Sequence, residues 1–290
     1  MENLDASLDA SRKNYLLNRD SYESRRLIEQ HHVWVKNQGY RVHPTIEATL
    51  PPNARIADIA TGTGIWTLDL SHSTKDTHPS WTFDGFDISS AQFPSQDSVP
   101  SNVHLHIADV KRPFPAEFHG QFDMIHARLL LLAMDSMDWI LVVNNMKTLL
   151  KPGGWIQWAE IDLEPMHTAL RDKLGASTEY LQKGCDKLWE LCRHRLSGAC
   201  KNLFNAFKGA GLNDVVLDPV TSDRLPELRE ISTKVEMRVV LGVGKQAIQN
   251  GAEAAWSLEE LEYVVAQMEK EAENGAYVVF YIKTVIGRKS

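Results

Sequence analysis

The sequence predicts an α/β fold whose core is one doubly wound, mostly parallel sheet of about seven strands. Short apolar runs that end at turn residues alternate with segments of helical periodicity, which is the chain order of parallel α/β sheets. The first apolar run leads through a glycine turn, residues 61–64, directly into a helical segment. A chain of 290 residues, 43% hydrophobic and 24% charged, is long enough to bury the core of one large domain.

Strands are predicted where β-branched, aromatic and other apolar residues cluster between turn residues. Pro51 and Pro52 mark the turn before the first strand. The predicted strands are residues 55–60, 81–87, 103–108, 122–126, 155–161, 214–217 and 277–286.

Helices are predicted from apolar residues that recur at spacings of three and four. One or two helices are expected within residues 14–36, and another begins directly after the glycine turn. The helix at 137–150 is followed by Lys-Pro-Gly-Gly, residues 151–154, which is typical of a helix end. Further helices are expected at about 178–194, 198–210, 225–240 and 258–273.

The excess of helix between the fifth and the last strand predicts a helical cap. We expect cap insertions at about residues 165–200 and 222–273, within a main domain of residues 46–290. Residues 1–45 are expected to form an N-terminal helical lid, and the first 12 or so of them to be loosely attached.

Charge and composition disfavour several classes of protein. A net charge of −7 and a sequence pI near 5.9 argue against a surface that binds nucleic acid, because such surfaces are usually basic. No apolar stretch reaches the roughly 18 to 20 residues of a membrane span, and the polar N-terminus does not resemble a targeting signal. Cys185, Cys192 and Cys200 are too few and too clustered for a disulfide framework. We therefore expect a cytoplasmic protein. The spacing of the His and Cys residues is not typical of a metal site, so we expect no metal ion.

The most informative motif is Asp58-Ile-Ala-Thr-Gly-Thr-Gly64, which lies between the first strand and its helix. A glycine turn here lets the backbone approach a nucleotide cofactor closely, although the same residues also suit an ordinary tight turn. The dinucleotide fingerprint continues with a third glycine, whose place is taken by Thr67. Asp58 would be poorly placed beside a pyrophosphate, but it suits a cationic amino-acid ligand. Its alternative interpretation is a buried carboxylate that caps the amides of the loop.

A second carboxylate, Asp87, ends the second predicted strand. In α/β folds that bind nucleotides, an acid at this position accepts hydrogen bonds from the ribose hydroxyls. The alternative is a helix N-cap in the sequence Asp-Ile-Ser-Ser, because aspartate is a favoured N-cap residue.

Five segments resemble class I S-adenosylmethionine-dependent methyltransferases in order and spacing: RIADIATGTGIW, GFDIS, IADVKRPFP, FDMIHAR and LLKPGGWIQWAEID. More narrowly, they are similar to fungal natural-product methyltransferases of the gliotoxin-cluster N-methyltransferase type. The resemblance extends over roughly residues 20–165, and the last third of the chain is similar only in general architecture. It implies a Rossmann-like sheet of about seven mostly parallel strands with the last strand antiparallel, a helical cap, and S-adenosylmethionine as cofactor.

The resemblance also implies roles for individual residues. In that family the glycine loop holds the methionine part of the cofactor, the acid after the second strand binds ribose, and an Asp after the third strand faces the adenine amino group. Ala60 stands where the family has its first glycine. The alternative for Asp109 is a turn residue before Lys-Arg-Pro. The residues expected at the cofactor are Asp58, Ala60, Gly62, Gly64, Asp87, Ile88, Asp109, Val110, His126 and Arg128.

Three residues are candidates for a general base or for an anchor of the acceptor: His126, Glu160 and His167. His126 and Arg128 end the fourth strand, and the carboxyl ends of strands form the ligand crevice of open α/β sheets. Each candidate has an alternative: His126 as a pocket-lining residue, and Glu160 and His167 as structural residues. Arg128 has the alternative of a surface or helix-capping cation. Methyl transfer depends mainly on alignment and exclusion of water, so a base is needed only if the acceptor loses a proton early.

The sequence thus predicts an enzyme that transfers a methyl group to an O, N or S atom of a small secondary metabolite. Thr67 and Asp58 disfavour an NAD-dependent dehydrogenase. Two alternatives stay open: an enzyme on the same fold that catalyses another step, such as a cyclisation, and a regulatory protein that binds a partner with little turnover. The predicted partner is a small molecule rather than nucleic acid or a membrane, and the sequence predicts no oligomeric state.

Overall fold

The computed structural model describes residue 17, residues 19–171 and residues 176–290. The prediction that the first 12 or so residues are loosely attached lies outside the described residues. In the described part, helices pack on both faces of one sheet of seven strands.

The strands of the sheet are β1 (Arg55–Ile59), β2 (Thr82–Asp87), β3 (Val103–Ile107), β4 (Phe122–Arg128), β5 (Leu150–Leu170), β6 (Asn213–Thr221) and β7 (Ala276–Arg288). Their spatial order is β3-β2-β1-β4-β5-β7-β6. The first five are parallel, and β7 is antiparallel to both of its neighbours. This confirms the predicted doubly wound sheet with an antiparallel last strand. The order reverses between β1 and β4, so a ligand crevice is expected at the carboxyl ends of these strands.

Eight α-helices lie in the described part of the chain: α1 (Ser21–Gln38), α2 (Pro44–Glu47), α3 (Ile65–Thr74), α4 (Asp138–Leu149), α5 (Glu179–Leu196), α6 (Ala199–Gly209), α7 (Arg229–Gln249) and α8 (Leu258–Glu273). α1 begins after Asp20, whose side chain accepts a hydrogen bond from the backbone N–H of Glu23, and it ends at Gly39. None of the described helices is both long and apolar enough to cross a membrane.

Apolar side chains pack on both faces of the sheet because successive residues of a strand point to opposite sides. In β1, Ile56 packs in one cluster with Trp66 of α3. Ala57 and Ile59 belong to the larger cluster on the other face, which also contains Phe207 of α6. The short first strand therefore has apolar contacts on both sides, as expected of a central parallel strand.

β5 extends further than its local sequence pattern predicts. It spans Leu150–Leu170, whereas the apolar run predicts a strand at 155–161. β7 pairs with β5 along most of this length, with an irregular register between Asp162 and His167. Charged residues and proline at 162–165 are typical of a strand end. The pairing that continues the strand comes from a distant part of the chain and is not visible in the local pattern.

The helices outside the sheet form a second group. α5, α7 and α8 pack against one another, and α1 contacts both α7 and α3. An ion pair between Arg238 and Glu29 connects α7 to α1. The division of the chain into a lid, a main domain and cap insertions stays a prediction.

Candidate cofactor and acceptor site

The glycine loop connects β1 to α3 at the switch point of the sheet. Gly62 and Gly64 have φ angles of 55° and 71°, a left-handed conformation that glycine adopts freely. Ala60 has a φ of 57°, where a side chain makes the backbone less favourable. Ala60 therefore has the backbone conformation expected of the glycine that it replaces, and its backbone is strained.

Asp58 is buried beneath this loop and accepts three hydrogen bonds. Its Oδ2 lies 2.6 Å from the hydroxyl of Thr61 and 2.9 Å from that of Thr67, and its Oδ1 lies 2.7 Å from Nδ1 of His126. Burial alone raises the pKa of Asp58, but the positive charge that His126 carries when it is protonated at acid pH, its hydrogen bond and the two hydroxyls hold the pKa below its usual value. Asp58 is thus an ionised carboxylate that contacts hydroxyls and an imidazole rather than loop amides.

His126 is buried and stacks on the ring of Trp66, with centroids 3.8 Å apart and planes inclined by 2°. Burial lowers the pKa of His126, against the opposing effect of Asp58. The imidazole is therefore neutral near pH 7, and its Nδ1–H donates to Asp58. This tautomer leaves Nε2 as a hydrogen-bond acceptor.

Asp87 accepts one backbone hydrogen bond on each carboxylate oxygen. The N–H of Gly62 lies 2.9 Å from Oδ2, and that of Ser89 lies 3.0 Å from Oδ1. The predicted alternative, Asp87 as a helix N-cap, is wrong, because Ser89 caps the short 3-10 helix that follows. Burial raises the pKa of Asp87. Each oxygen keeps a further lone pair for a ligand hydroxyl.

Asp109 and Arg128 lie at the ends of β3 and β4. Asp109 accepts a hydrogen bond from the backbone N–H of Lys111 at 2.9 Å, which is the contact expected of a turn residue. The guanidinium of Arg128 lies 5.6 Å from the ring of Trp34 and 3.4 Å from Nδ1 of His31. Burial lowers the pKa of Arg128 to about 10, so it stays a cation at neutral pH. Arg128 is therefore a partly buried pocket residue and not a surface or helix-capping cation.

One cavity lies at the carboxyl ends of β1, β2, β3 and β4. It is lined by all the residues expected at the cofactor except Gly64, which begins α3 behind the loop: Asp58, Ala60, Gly62, Asp87, Ile88, Asp109, Val110, His126 and Arg128. The structure thus brings together side chains and loops from four parallel strands that the sequence places far apart.

Glu160 and His167, the two other candidate bases, are not brought to the cavity wall. Glu160 is fully buried, and its Oε1 accepts hydrogen bonds from the N–H of Leu130 and the indole N–H of Trp158. Burial raises the pKa of Glu160 to about 8. His167 is exposed on the extension of β5, where its ring contacts the carbonyl of Pro165. Neither side chain lines the cavity, because Glu160 is bonded to Leu130 and Trp158 and His167 lies on the exposed extension of β5. A role of either residue at the acceptor stays a prediction.

The rest of the cavity wall comes from residues that sequence reasoning did not identify as a site. α7 contributes Glu236 and Val239, α1 contributes Arg26 and Gln30, and β5 contributes Leu163. One sequence pattern could have indicated that α1 contributes to the wall. The polar residues Glu23, Arg26 and Gln30 recur at helical spacing and lie on one buried face of the helix. Apolar residues complete this half of the wall: Leu17, Leu27, Leu129, Leu130, Leu131, Leu132, Ala133, Met134, Ile161, Leu188 and Leu196.

A doubly wound sheet with a glycine loop, a carboxylate at the end of the second strand and a cavity at the switch point defines the class of α/β proteins that bind a nucleotide cofactor. Within this class, the sequence model of the methyltransferase domain matches residues 29–215. The chain belongs to this methyltransferase domain family, which agrees with the enzyme class and the cofactor expected from the sequence.

Curated fungal relatives support the narrower resemblance. The chain is 37% identical to the methyltransferase grgD of Penicillium sp over 52% of its own length and 53% of the relative. It is 36% identical to the N-methyltransferase sirN of Leptosphaeria maculans, over 52% and 51% of the two chains. For the N-methyltransferase gliN of Aspergillus fumigatus the identity is 32%, over 54% of each chain. The matched part thus spans about half the length of these relatives.

Proposed function

We propose that this chain is an S-adenosylmethionine-dependent methyltransferase that methylates a nitrogen atom of a small, largely apolar metabolite. The observation that carries the proposal is the single cavity in which the glycine loop, Asp87 and Asp109 meet in a member of the methyltransferase domain family. Two of the relatives, sirN and gliN, are N-methyltransferases, which supports nitrogen rather than oxygen or sulfur as the acceptor atom.

The residues of the cavity fit the cofactor. The left-handed glycines leave room beside the loop for the close approach of a ligand. The hydroxyl of Thr63 is buried in the loop and has no hydrogen-bond partner among the described residues. Buried polar groups are usually satisfied, so a ligand that contacts this loop would supply the missing partner.

Each part of the cofactor has a candidate binding residue. The glycine loop and the ionised Asp58 would hold the cationic methionine moiety, and the second lone pairs of Asp87 would accept the ribose hydroxyls. Asp109 with Val110, in the same cavity wall, would face the adenine. When bound, S-adenosylmethionine supplies an electrophilic methyl group on a sulfonium. The protein's contribution is alignment of the acceptor and exclusion of water.

We propose that His126 acts with Asp58 as a positioning pair. The stack on Trp66 and the bond to Asp58 fix the plane of the imidazole and its tautomer. A neutral ring in the wall keeps Nε2 available to accept a hydrogen bond from a ligand, and a role as general base stays a proposal.

Calorimetry with the purified chain tests the cofactor assignment. S-adenosylmethionine and its demethylated product are expected to bind with micromolar affinity, about −8 kcal/mol, and NADH is expected not to bind. Incubation with radiolabelled S-adenosylmethionine and fractionated fungal metabolites then tests transfer. Binding of NADH without any response to the sulfonium would contradict the cofactor assignment. Cofactor binding without transfer to any fraction would favour the cyclisation or regulatory alternatives.

A further inference from the structure

A carboxylate lies among the buried residues of α7. Glu236 is only 5% exposed and is flanked by the buried residues Val235, Met237, Val239 and Val240. Its side chain lines the cavity, and its carboxylate makes no hydrogen bond with any residue that the structure describes. A buried acid that faces a cavity without a donor is unusual, because buried polar groups are normally paired.

The groups around Glu236 do not neutralise it. Arg26 of α1 is the nearest cation, but its guanidinium already forms two hydrogen bonds with Glu23, at 2.8 and 2.6 Å. On the α5 side lies the thiol of Cys185, whose pKa burial and the charge of Glu236 raise to about 12, so this neighbour is neutral. The carboxylates of Glu23 and Glu236 therefore share the single guanidinium of Arg26. When Glu236 is ionised, this group of three side chains has a net charge of about −1.

The cavity and this charge together define a kind of ligand. An entirely apolar acceptor would bury Glu236 further and leave its oxygens without a donor. A ligand with an ammonium group on an apolar body would satisfy the carboxylate and also cover the leucine-rich wall formed by residues 129–132, 188 and 196. We propose that Glu236 is the acceptor-binding residue of this enzyme and that the acceptor is a small apolar amine, whose ammonium group it binds directly. An ammonium nitrogen has no lone pair, so one of its protons must pass to the Glu236 carboxylate before the nitrogen can accept a methyl group. This inference rests on the proposed function and adds the substrate class.

Binding of model amines to the full chain, saturated with S-adenosylhomocysteine, tests the inference without any turnover. The probes are tryptamine and phenethylamine, each compared with its neutral alcohol analogue, tryptophol or 2-phenylethanol. We expect both amines to bind at least tenfold more tightly than their alcohols. Glu236→Gln is expected to remove this preference, and Glu230→Gln, an exposed carboxylate on the same helix, to preserve it.

The pH dependence gives a second readout. Burial raises the pKa of Glu236 to about 7, so the carboxylate gains its charge as the pH rises from 6 to 8, a range in which aliphatic amines stay protonated. In the unmodified protein, the affinity for amines is expected to rise from pH 6 to pH 8. In Glu236→Gln it is expected not to change with pH. The affinity for the alcohols is expected not to change with pH in either protein. Should Glu236→Gln fail to fold, Glu236→Met has a similar length and serves instead.

Two results would overturn the inference: amines that bind no better than their alcohols, or a preference that survives substitution of Glu236. The binding of S-adenosylhomocysteine is measured first in the same calorimeter. If it binds and the amine preference is missing, the substrate class is wrong while the cofactor assignment holds. If it does not bind, the proposed function itself fails, and amine titrations of the unliganded chain still decide the role of Glu236.

Discussion

Asp87 accepts the backbone N–H of Gly62 over 2.9 Å, so the end of β2 directly holds the glycine loop that follows β1. The same carboxylate accepts the N–H of Ser89. Asp87 therefore shapes the loop in the absence of any ligand, in addition to its proposed contact with ribose. The two functions predict different effects when the residue is changed.

Asp87→Ala is expected to weaken both cofactor binding and folding. Loss of the hydrogen bonds to ribose should lower the affinity for S-adenosylhomocysteine at least tenfold, since a charged hydrogen bond contributes about 1.5–3 kcal/mol. Loss of the bonds to Gly62 and Ser89 should lower the melting temperature of the unliganded protein as well. Calorimetry and thermal unfolding measure the two effects, with the exposed Asp97→Ala as control. A variant of lower stability with unchanged affinity would show that Asp87 only shapes the loop.

Ala60→Gly is expected to stabilise the protein. The left-handed backbone at position 60 destabilises a residue with a side chain by about 1–2 kcal/mol, and substitution by glycine removes this strain. Glycine also has a larger conformational entropy in the unfolded state, which offsets about 0.5–1 kcal/mol of the stabilisation. A net gain of up to about 1.5 kcal/mol should appear in urea unfolding. The matched control is Ala57→Gly in the preceding strand β1, where glycine should destabilise by about 1–2 kcal/mol through added entropy and lost packing. Equal destabilisation by the two changes would show that Ala60 is not strained.

Glu160→Gln is expected to change how stability depends on pH. Burial raises the pKa of Glu160 to about 8, against about 4.3 for an unfolded chain. Between these values the native state holds a proton that the unfolded state has lost, so the free energy of unfolding falls as pH rises, by at most about 1.4 kcal/mol per pH unit. The amide keeps an oxygen for Leu130 and Trp158, so the variant should match the parent near pH 5 and exceed its stability near pH 8.

Chemical denaturation at pH 5, 6, 7 and 8 measures this difference, and the exposed Glu117→Gln is the control. A stability difference that is the same at every pH would contradict the assignment of a raised pKa to Glu160.

The part of the cavity that we propose for the cofactor was predictable because its residues belong to short, contiguous motifs. Asp58, Gly62 and Gly64 belong to one motif at the end of β1, Asp87 is the last residue of β2, and Asp109 follows shortly after β3. Parallel strands align their carboxyl ends, so a correct order of strands and helices is enough to predict that these residues meet. Only Gly64 lies off the cavity wall, as the residue that begins α3.

The part of the cavity that we propose for the acceptor was not predictable in the same way. Glu236 reaches the cavity only because α7 packs against both α1 and α5, and no local pattern specifies that packing. His167 was expected near the acceptor but lies on the exposed extension of β5. The reason is related, because that extension depends on the pairing of β5 with β7. The positions of both residues depend on contacts between distant parts of the chain. The periodicity of apolar residues predicts individual helices and strands but not how they pack together.

The N-terminal helix α1 is expected to act as a lid over the cavity. The structure shows that it contributes Arg26, Leu27 and Gln30 to the wall. It is fixed to α3 at Asp69, whose carboxylate lies 2.8 Å from Nε2 of His31 and also accepts two hydrogen bonds from Arg41. The C-terminal end of α1 is also held to the sheet, because the side chains of Asn37 and Gln38 donate hydrogen bonds to the carbonyl of Thr221 and the hydroxyl of Thr284. We therefore expect the closure over a bound ligand in the part of α1 that lines the cavity.

Hydrogen exchange measures this closure. Amides of residues 21–38 should gain protection when S-adenosylhomocysteine is added. Asp69→Asn should reduce this gain and weaken binding by about threefold to tenfold, because it removes the charge that both His31 and Arg41 contact. The exposed Asp76→Asn on the same side of the sheet is the control. If ligand addition leaves exchange in α1 unchanged, and a chain lacking residues 1–45 still transfers methyl groups, then α1 is a fixed wall of the fold and not a lid.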